Sequence, residues 1–308
     1  MKYIVLDMEW NQTRGREEVL SDGRLLSGEI IEIGAVKLNE KFIPVDTFKT
    51  YVCPVFYSKM HSRVKSLTGI TNDILEDAPM FEEAMDMFLD FCGPEFETIT
   101  WGNSDIPVLK ENMIANGMGK WNRRNYDLQT IFLKQTSNPA KNIALESAAE
   151  IFGIEVTAQL HDALIDAAIT ALISKKLDMQ KGLDEYDSKP QDLSELDHVG
   201  FETVKYIDNL QKLRGDPRVK YTKCPHCKEP MAAERIIAQN STKKLAKVNC
   251  PNHGDFLISI KVHKNPNGRY TASKFIYEWD SDTEEFYNAR LATADKKRDR
   301  FLAKIRKK

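Results

Sequence analysis

The chain has 308 residues, of which 42% are hydrophobic and 29% charged, an ordinary composition for a soluble globular protein of about two domains. Its apolar runs fall short of the ~18 residues of a membrane span, and the first is shorter than a signal peptide's apolar region, so neither a membrane partner nor secretion is expected. The net charge of −2 is split, with 23 Lys+Arg against 36 Asp+Glu in residues 1–216 and 21 against 10 in residues 217–308, so a basic tail faces a polyanion or the acidic body.

Tyr3–Leu6 is an apolar run fit for an inner strand, and it ends in Asp7 and Glu9 with one residue between them. Side chains alternate along a strand, so both carboxylates leave on one side, about 7 Å apart. GEIIEIGAVKLNE and KFIPVDTFKTYV predict two more strands across a short polar turn. FEEAMDMFLDFCG places Phe81, Met85, Phe88 and Leu89 at helical spacing and stops at Gly93. ETITWGNSD predicts a strand running into a loop, DIPVLKENMIANG a helix ending at Gly117, and NIALESAAEIFG and DALIDAAITALISKKL two further helices. Strands in hairpin order, followed by strand and helix in alternation, predict an α/β fold with a mixed sheet flanked by helices over residues 1–178. Residues 179–216 read as an acidic linker with a helical second half around LQKLRG. Residues 217–285 read as a small β-rich domain that includes FLISIKV and ASKFIYEW, and residues 286–308 as a basic helix or tail.

Acids sit at the edges of three of these elements: Asp7 and Glu9, then Asp105 where a loop turns into a helix, then Asp166 one turn inside a helix that His161 precedes. Ala163, Leu164, Ala167 and Ala168 surround Asp166, and an ionised carboxylate on such a face is costly unless paired or metal-bound. Four acids from three segments suit two Mg²⁺ or Mn²⁺ ions, which activate a water and stabilise the leaving oxygen of a phosphodiester. A histidine titrating near neutrality is the natural general base, although His161 alone also reads as a cap or surface group.

DMEW, WGNSD and HDALID, in that order, resemble the three motifs of the DEDDh branch of the DnaQ-like 3′–5′ exonucleases, with their ribonuclease H-like fold. EIGAVKL, SLTGIT at 66–71 and NYDLQTIF at 125–132 add to the resemblance, which covers roughly residues 1–178, and the H-x4-D spacing marks the histidine branch. The resemblance implies that Asp7, Glu9 and Asp166 bind the tighter metal, with Asp7 bridging to a second that Asp105 supports through water, and that His161 deprotonates the attacking water. It also implies that the backbone after Asp7 receives the 3′-terminal nucleotide, with Met8 and Trp10 against its base; Trp10 as core packing stays open. Trp10-Asn11-Gln12 stands where proofreading members carry a Thr-Thr-Gly-like turn, and RGREEVLSDGRLLSGE is inserted after it. That departure favours the RNA-processing branch, with Asn11 and Gln12 as contacts to a ribose hydroxyl or the terminal nucleotide.

Of the five cysteines, Cys53 and Cys92 stand alone, while KCPHCKEPM and VNCPNHGDF form C-x2-C, twenty-two residues, then C-x2-H. Such paired turns are the knuckles of a zinc-ribbon-like domain, which predicts one structural Zn²⁺ on Cys224, Cys227, Cys250 and His253 and a reducing, cytoplasmic setting. A redox CxxC, or His226 in place of His253, are the other readings. Lys243, Lys244, Lys247, Lys261, Lys264, Arg269 and Lys274 are interleaved with Tyr270, Phe275, Tyr277 and Trp279. That mixture suits single-stranded nucleic acid, a protein partner or a plain solvated face. The expected function is a metal-dependent 3′–5′ exonuclease releasing nucleoside 5′-monophosphates from single-stranded ends, RNA favoured over DNA. A DNA exonuclease of repair or proofreading and a non-catalytic binding protein are the alternatives.

Overall fold

A computed structural model of the chain describes residues 2–13, 18–138, 140, 142–156, 160–186, 193, 196–207, 216–264 and 268–305, with the backbone alone at 205, 206, 234 and 300–305. It divides into two units, Met1–Ser188 and Lys189–Lys308. In the first, β1 (Lys2–Asn11), β2 (Glu29–Leu38) and β3 (Pro44–Tyr51) pair antiparallel. The short helices α1 (Ser62–Thr68) and α2 (Asn72–Leu75) and then α3 (Phe81–Cys92) lead to β4 (Phe96–Thr100), which joins β1 in parallel. After α4 (Asp105–Ala115), β5 (Asn125–Asp127) pairs in parallel with β4, completing the order β3-β2-β1-β4-β5. The helices α5 (Leu128–Gln135), α6 (Leu145–Ile151), α7 (Ala163–Ser174) and α8 (Met179–Asp184) finish the unit.

Alternation along β1 divides the interior into two cores. Ile4, Leu6 and Met8 enter one with Phe81, Met85 and Phe88 of α3 and Leu109 and Met113 of α4. Val5 enters the other, with Phe132 of α5 and Ala167 and Ala171 of α7. Asp7 and Glu9 continue the row of Val5, so they emerge at the end of the face that α7 covers. Gly34 lies opposite Asp7 in the β1–β2 register, and a Cβ there would run into the backbone of Ala163 and Leu164. The start of α7 can therefore lie on β2 only because residue 34 has no side chain.

In the second unit, β6 (Gly200–Ile207), α9 (Pro217–Lys220), β7 (Tyr221–Lys223), β8 (Pro230–Ala238), β9 (Lys243–Cys250), β10 (Gly254–Lys264), β11 (Tyr270–Glu278) and α10 (Ser281–Ile305) follow in order. The strands form one antiparallel sheet in the order β6-β11-β10-β9-β8-β7. One face buries Val204, Phe256, Ile258, Ala272 and Ile276, and the other buries Leu245, Leu257, Phe275 and Tyr277 with Phe286 and Tyr287 of α10.

The linker expected over 179–216 is not what the described residues show. Met179 and Leu183 of α8 enter the core of the first unit. GFETVKYI is rich in β-branched and aromatic residues, and it forms the edge strand β6, with Phe201 opposite Phe275. LQKLRG, the expected helical half, lies outside the described residues. The final helix starts at Ser281, not 286, because Phe286 and Tyr287 are core residues of the sheet it covers.

Gly34→Ala is expected to overpack the α7–β2 contact by about 2–3 kcal/mol. Thermal melts should show the first unit's transition lower by roughly 5–10 °C; an unchanged transition would mean that α7 shifts without cost.

Candidate active site

The bend that ends the second core brings the three sequence motifs together. Asp105 opens α4, is 5% exposed, and accepts the Met8 backbone N–H at 3.2 Å, which ties α4 to β1 between Asp7 and Glu9. Asp166, 8% exposed on α7, accepts the His161 backbone N–H on Oδ2 at 3.1 Å. Its Oδ1 is buried with no hydrogen-bond partner among the described residues. His161 sits at φ 66°, in the left-handed region that costs a histidine free energy, and its imidazole is half exposed. Its Nδ1 lies 3.9 Å from Glu9 Oε1. One potential ligand atom each from Glu9, His161 and Asp166 falls within 4.8 Å of the others.

Burial and mutual repulsion hold these acids above the ordinary carboxylate range. Asp7 is pushed well up by loss of hydration, then by Asp105, Asp166 and Glu9. Burial, then Asp166, Glu32 and Asp105, bring Glu9 to about 8. Asp105 reaches about 7, through burial opposed by the Met8 N–H. Burial raises Asp166 as well, against the pull of the His161 N–H and ring. A largely buried, mutually repelling acid cluster, with a buried carboxylate oxygen that has no partner among the described residues, fits a hard divalent cation.

Three residues around the cluster escaped sequence reasoning. Glu32 faces Glu9 across the β1–β2 register, and its buried carboxylate accepts the Ala163 N–H at 3.0 Å. Lys49 of β3 pairs with Glu32 at 2.7 Å and with Asp162. Asp162 caps α7 through the N–H groups of Leu164 and Ile165 at 3.1 and 3.2 Å. Lys49 thus draws the N-terminus of α7, and with it the His161–Asp166 turn, onto β2 and β3. In the sequence these residues lie 17 and 113 positions apart, and EIGAVKL, taken up only as a minor likeness, was the available signal.

The side chains expected to meet substrate are placed differently. Asn11 is fully buried: its amide donates to the carbonyls of Tyr57 and Lys59 and accepts the His61 N–H, so no group is left for a ribose. Met8, 3% exposed, is a core residue whose backbone alone turns to the site. Trp10 packs partly buried against the same core, with its ring on Gly28 where a Cβ would collide with it. Gln12 is exposed.

In the second unit Cys224, Cys227, Cys250 and His253 converge, their ligand atoms all within 4.8 Å of one another. Cys224 and Cys250 Sγ each lie 3.7 Å from His253 Nδ1, and Cys227 and Cys250 Sγ are 3.5 Å apart. A tetrahedron with ~2.3 Å metal–sulfur bonds and ~2.0 Å metal–nitrogen bonds has edges of about 3.5–3.8 Å, so the four atoms fit one ion. His226 stands outside it, bonded to Glu278 at 2.9 Å with its ring beside that of His253. The expected aromatic face is mostly interior: Phe275 and Tyr277 are buried, Trp279 packs on Tyr287 beneath Lys247, and Lys274 points inward.

A mixed sheet in this order, with helices on both faces and an acid cluster completed by a histidine, defines a ribonuclease H-like nuclease fold. Residues 4–174 match the RNase_T family model, described as exonuclease. The chain is 32% identical over 195 residues to the probable 3′–5′ exonuclease KapD of Bacillus subtilis, covering 61% of this chain and 88% of that one. It is 30% identical over 210 residues to the DNA polymerase III PolC-type of Caldanaerobacter subterraneus subsp. tengcongensis, covering 68% of this chain but only 13% of the polymerase. The solved nuclease domain of 3′hExo, a DEDDh family member bound to rAMP, superposes with a TM-score of 0.51 at 23% identity, over 59% of this chain and 92% of that domain. The chain belongs to the RNase_T exonuclease family.

With Glu9 at about 8 and Asp105 at about 7, the cation-free folded chain keeps protons that the unfolded chain releases near pH 4–5. Its stability therefore falls as pH rises through that window. Without added divalent cation, the melting temperature of the first unit should drop between pH 5 and pH 8. Asp7→Asn should raise it at pH 8, and added Mn²⁺ should stabilise the wild type more at pH 8 than at pH 6. A flat profile would mean that the acids are hydrated and ordinary.

Proposed function

We propose that the chain is a divalent-cation-dependent 3′–5′ exonuclease that hydrolyses the terminal phosphodiester of single-stranded nucleic acid, RNA favoured, and releases nucleoside 5′-monophosphates. The observation that carries this reading is the grouping of Glu9, His161 and Asp166, with ligand atoms within 4.8 Å of one another and Asp166 Oδ1 buried without a hydrogen-bond partner among the described residues, next to Asp7 on β1 and to Asp105, which is tied to the Met8 N–H. Asp7, Glu9 and Asp166 would hold one Mg²⁺ or Mn²⁺, and Asp7 and Asp105 would support a second. Bound there, the ions supply Lewis-acid polarisation of the phosphate and neutralise charge at the attacking and leaving oxygens.

The protein's own groups do the rest. His161, fixed through its backbone N–H on Asp166 and half exposed at the rim, takes the proton of the attacking water at a ring nitrogen. The Lys49–Glu32–Asp162 network keeps that turn against the sheet. The backbone at Met8 and the partly exposed ring of Trp10 border the place for the terminal nucleotide. RNA is favoured by the Trp10-Asn11-Gln12 segment at the end of β1, which stands where proofreading relatives carry a Thr-Thr-Gly-like turn, and not by the Asn11 amide. DNA is the second reading, supported by the likeness to a DNA polymerase III of PolC type. The Cys224, Cys227, Cys250 and His253 cluster would hold a structural Zn²⁺ that ties the β7–β8 turn to the β9–β10 turn; three thiol ligands suit a reducing compartment such as the cytoplasm.

Incubated with Mg²⁺ or Mn²⁺, 5′-labelled RNA and DNA oligonucleotides should give descending ladders, faster on RNA, and Asp7→Ala should abolish both. His161→Ala should lower the rate by about 10²–10⁴-fold while Mn²⁺ binding persists; loss of Mn²⁺ binding would make His161 a ligand. No ladder with either ion would overturn the enzymatic reading. Purified chain should contain one zinc per molecule, and Cys250→Ala should empty the site; zinc content well below one, or unchanged in the variant, would refute the ligand set.

A further inference from the structure

Among the described residues, the sheet of the second unit ends in β6 on one side and β7 on the other, and a side-chain bond brings the two ends together. Lys223 N–H donates to Glu202 Oε1 at 2.7 Å across the gap. From β11, Lys274 reaches through the interior, 1% exposed, and donates to the carbonyls of Arg218 and Tyr221 at 2.9 and 2.7 Å and to Thr222 Oγ1 at 3.0 Å, with Glu202 as its ion-pair partner. β7 is only three residues long, between Pro217 at the start of α9 and the turn of Cys224, so it cannot zip onto β6. Between the edges lies a cavity of about 580 Å³ lined by Glu202, Thr203, Arg218, Tyr221, Lys223 and Lys274.

The rim of this cavity differs from the rest of the unit. Tyr221 is 48% exposed, with the Lys220 ammonium 5.8 Å from its ring centre. Phe275 and Tyr277, the rings that sequence offered for stacking, are core residues. Arg218, Lys220 and Lys223 are all exposed within six residues of chain. Of the acids nearby, Asp216 pairs with Arg218 and Glu202 with Lys274, and Glu229, Lys220 and Lys223 are exposed beside them.

We propose that this seam is a track for single-stranded nucleic acid, in which Tyr221 stacks a base and Lys220 and Lys223 follow the phosphates. The proposal rests on the single-strand exonuclease reading and assigns the second unit its part in it. An open aromatic ring beside spaced cations takes unstacked bases of any sequence, while a duplex has none to offer. The cavity is within the ~300–1,000 Å³ usual for ligand pockets, room for a nucleotide to enter beside the ring. A peptide added as a strand to β6 or β7 would use the same edges, but it has no need of the cations.

The test uses the full chain carrying Asp7→Ala, so that bound strands survive, and fluorescence anisotropy with a labelled 12-nucleotide RNA and its DNA counterpart. Tyr221→Ala should raise Kd at least fivefold on both, and Tyr221→Phe should stay within twofold of the parent. Lys220→Glu with Lys223→Glu should raise Kd at least tenfold and flatten the log Kd against log salt slope by about 1.4, two contacts at ~0.7 each. In parallel, with Asp7 intact, hydrolysis of a p-nitrophenyl nucleotide ester should be the same for wild type and the Tyr221 and lysine variants, since so small a substrate needs no track. Unchanged affinity and slope in these variants overturns the proposal and leaves the seam to peptide addition. Absence of ester hydrolysis in the wild type defeats the exonuclease reading instead, and the anisotropy data still decide the track.

Discussion

Carboxylates that repel one another, held together at the dry end of one strand, are the constraint on which the first unit is organised. Two unit charges 4 Å apart repel by about 4 kcal/mol at an effective dielectric near 20, and Asp7 has Asp105, Asp166 and Glu9 all near enough to raise its proton affinity. No local preference gathers such groups; each is brought in by an element whose position is fixed elsewhere. Asp7 and Glu9 ride on a strand anchored by Ile4, Leu6 and Met8. Asp105 arrives with α4, whose Leu109 and Met113 lie in the same core. Asp166 arrives with α7, which Gly34 admits and Lys49 draws down. The hydrophobic cores thus supply the free energy that keeps the acids close.

Lys49 shows how far the protein goes in neutralising them by itself. Its ammonium is shared by Glu32 and Asp162, the acids behind the site, and not by the four at its mouth. A lysine among Asp7, Glu9 and Asp166 would settle the electrostatics permanently and take the place of the cation. Placed one layer back, it secures the helix N-terminus and leaves the front acids with a deficit for an incoming ion. The second unit solves a different problem. Its edge strand β7 is short, and Lys274 bonds across the seam from within, while Cys224, Cys227, Cys250 and His253 bring two turns together with their ligand atoms within 4.8 Å of one another.

The sequence made legible whatever depends on spacing within one segment. DxE at a strand end, H-x4-D at a helix start, and C-x2-C with C-x2-H each place their atoms through local geometry, and in the structure Glu9, His161 and Asp166 come together, as do the three cysteines and His253. What depended on the opposite wall was not legible. Asn11 looks like an exposed amide beside the acids, yet the loop over 57–61 folds over it and uses both ends of its side chain. The register slips between Glu9 and Trp10, and Gly28 opens a slot for the indole, which no count along β1 could show. GFETVKYI was absorbed into an acidic linker because its neighbours are charged, although its own alternation was that of a strand. The interleaved aromatics of β11 look like a binding face until α10 is laid over them.

The most exposed of the five active-site groups is the one that has to exchange protons with solvent. A carboxylate that holds a cation gains from a dry setting, since hydration competes with the ion and weakens the field between them. A general base has the reverse requirement: in the mechanism proposed here His161 gains a proton at every turnover and must lose it to solvent before the next. The chain satisfies both demands within six residues. Asp166 is buried in the first turn of α7, while His161 is lifted out at φ 66° with its imidazole half exposed and its backbone tied to the Asp166 carboxylate. The left-handed conformation costs a histidine on the order of 1–3 kcal/mol. It is maintained because an ordinary helical or extended residue there would carry the ring away from Glu9 or the N–H away from Asp166.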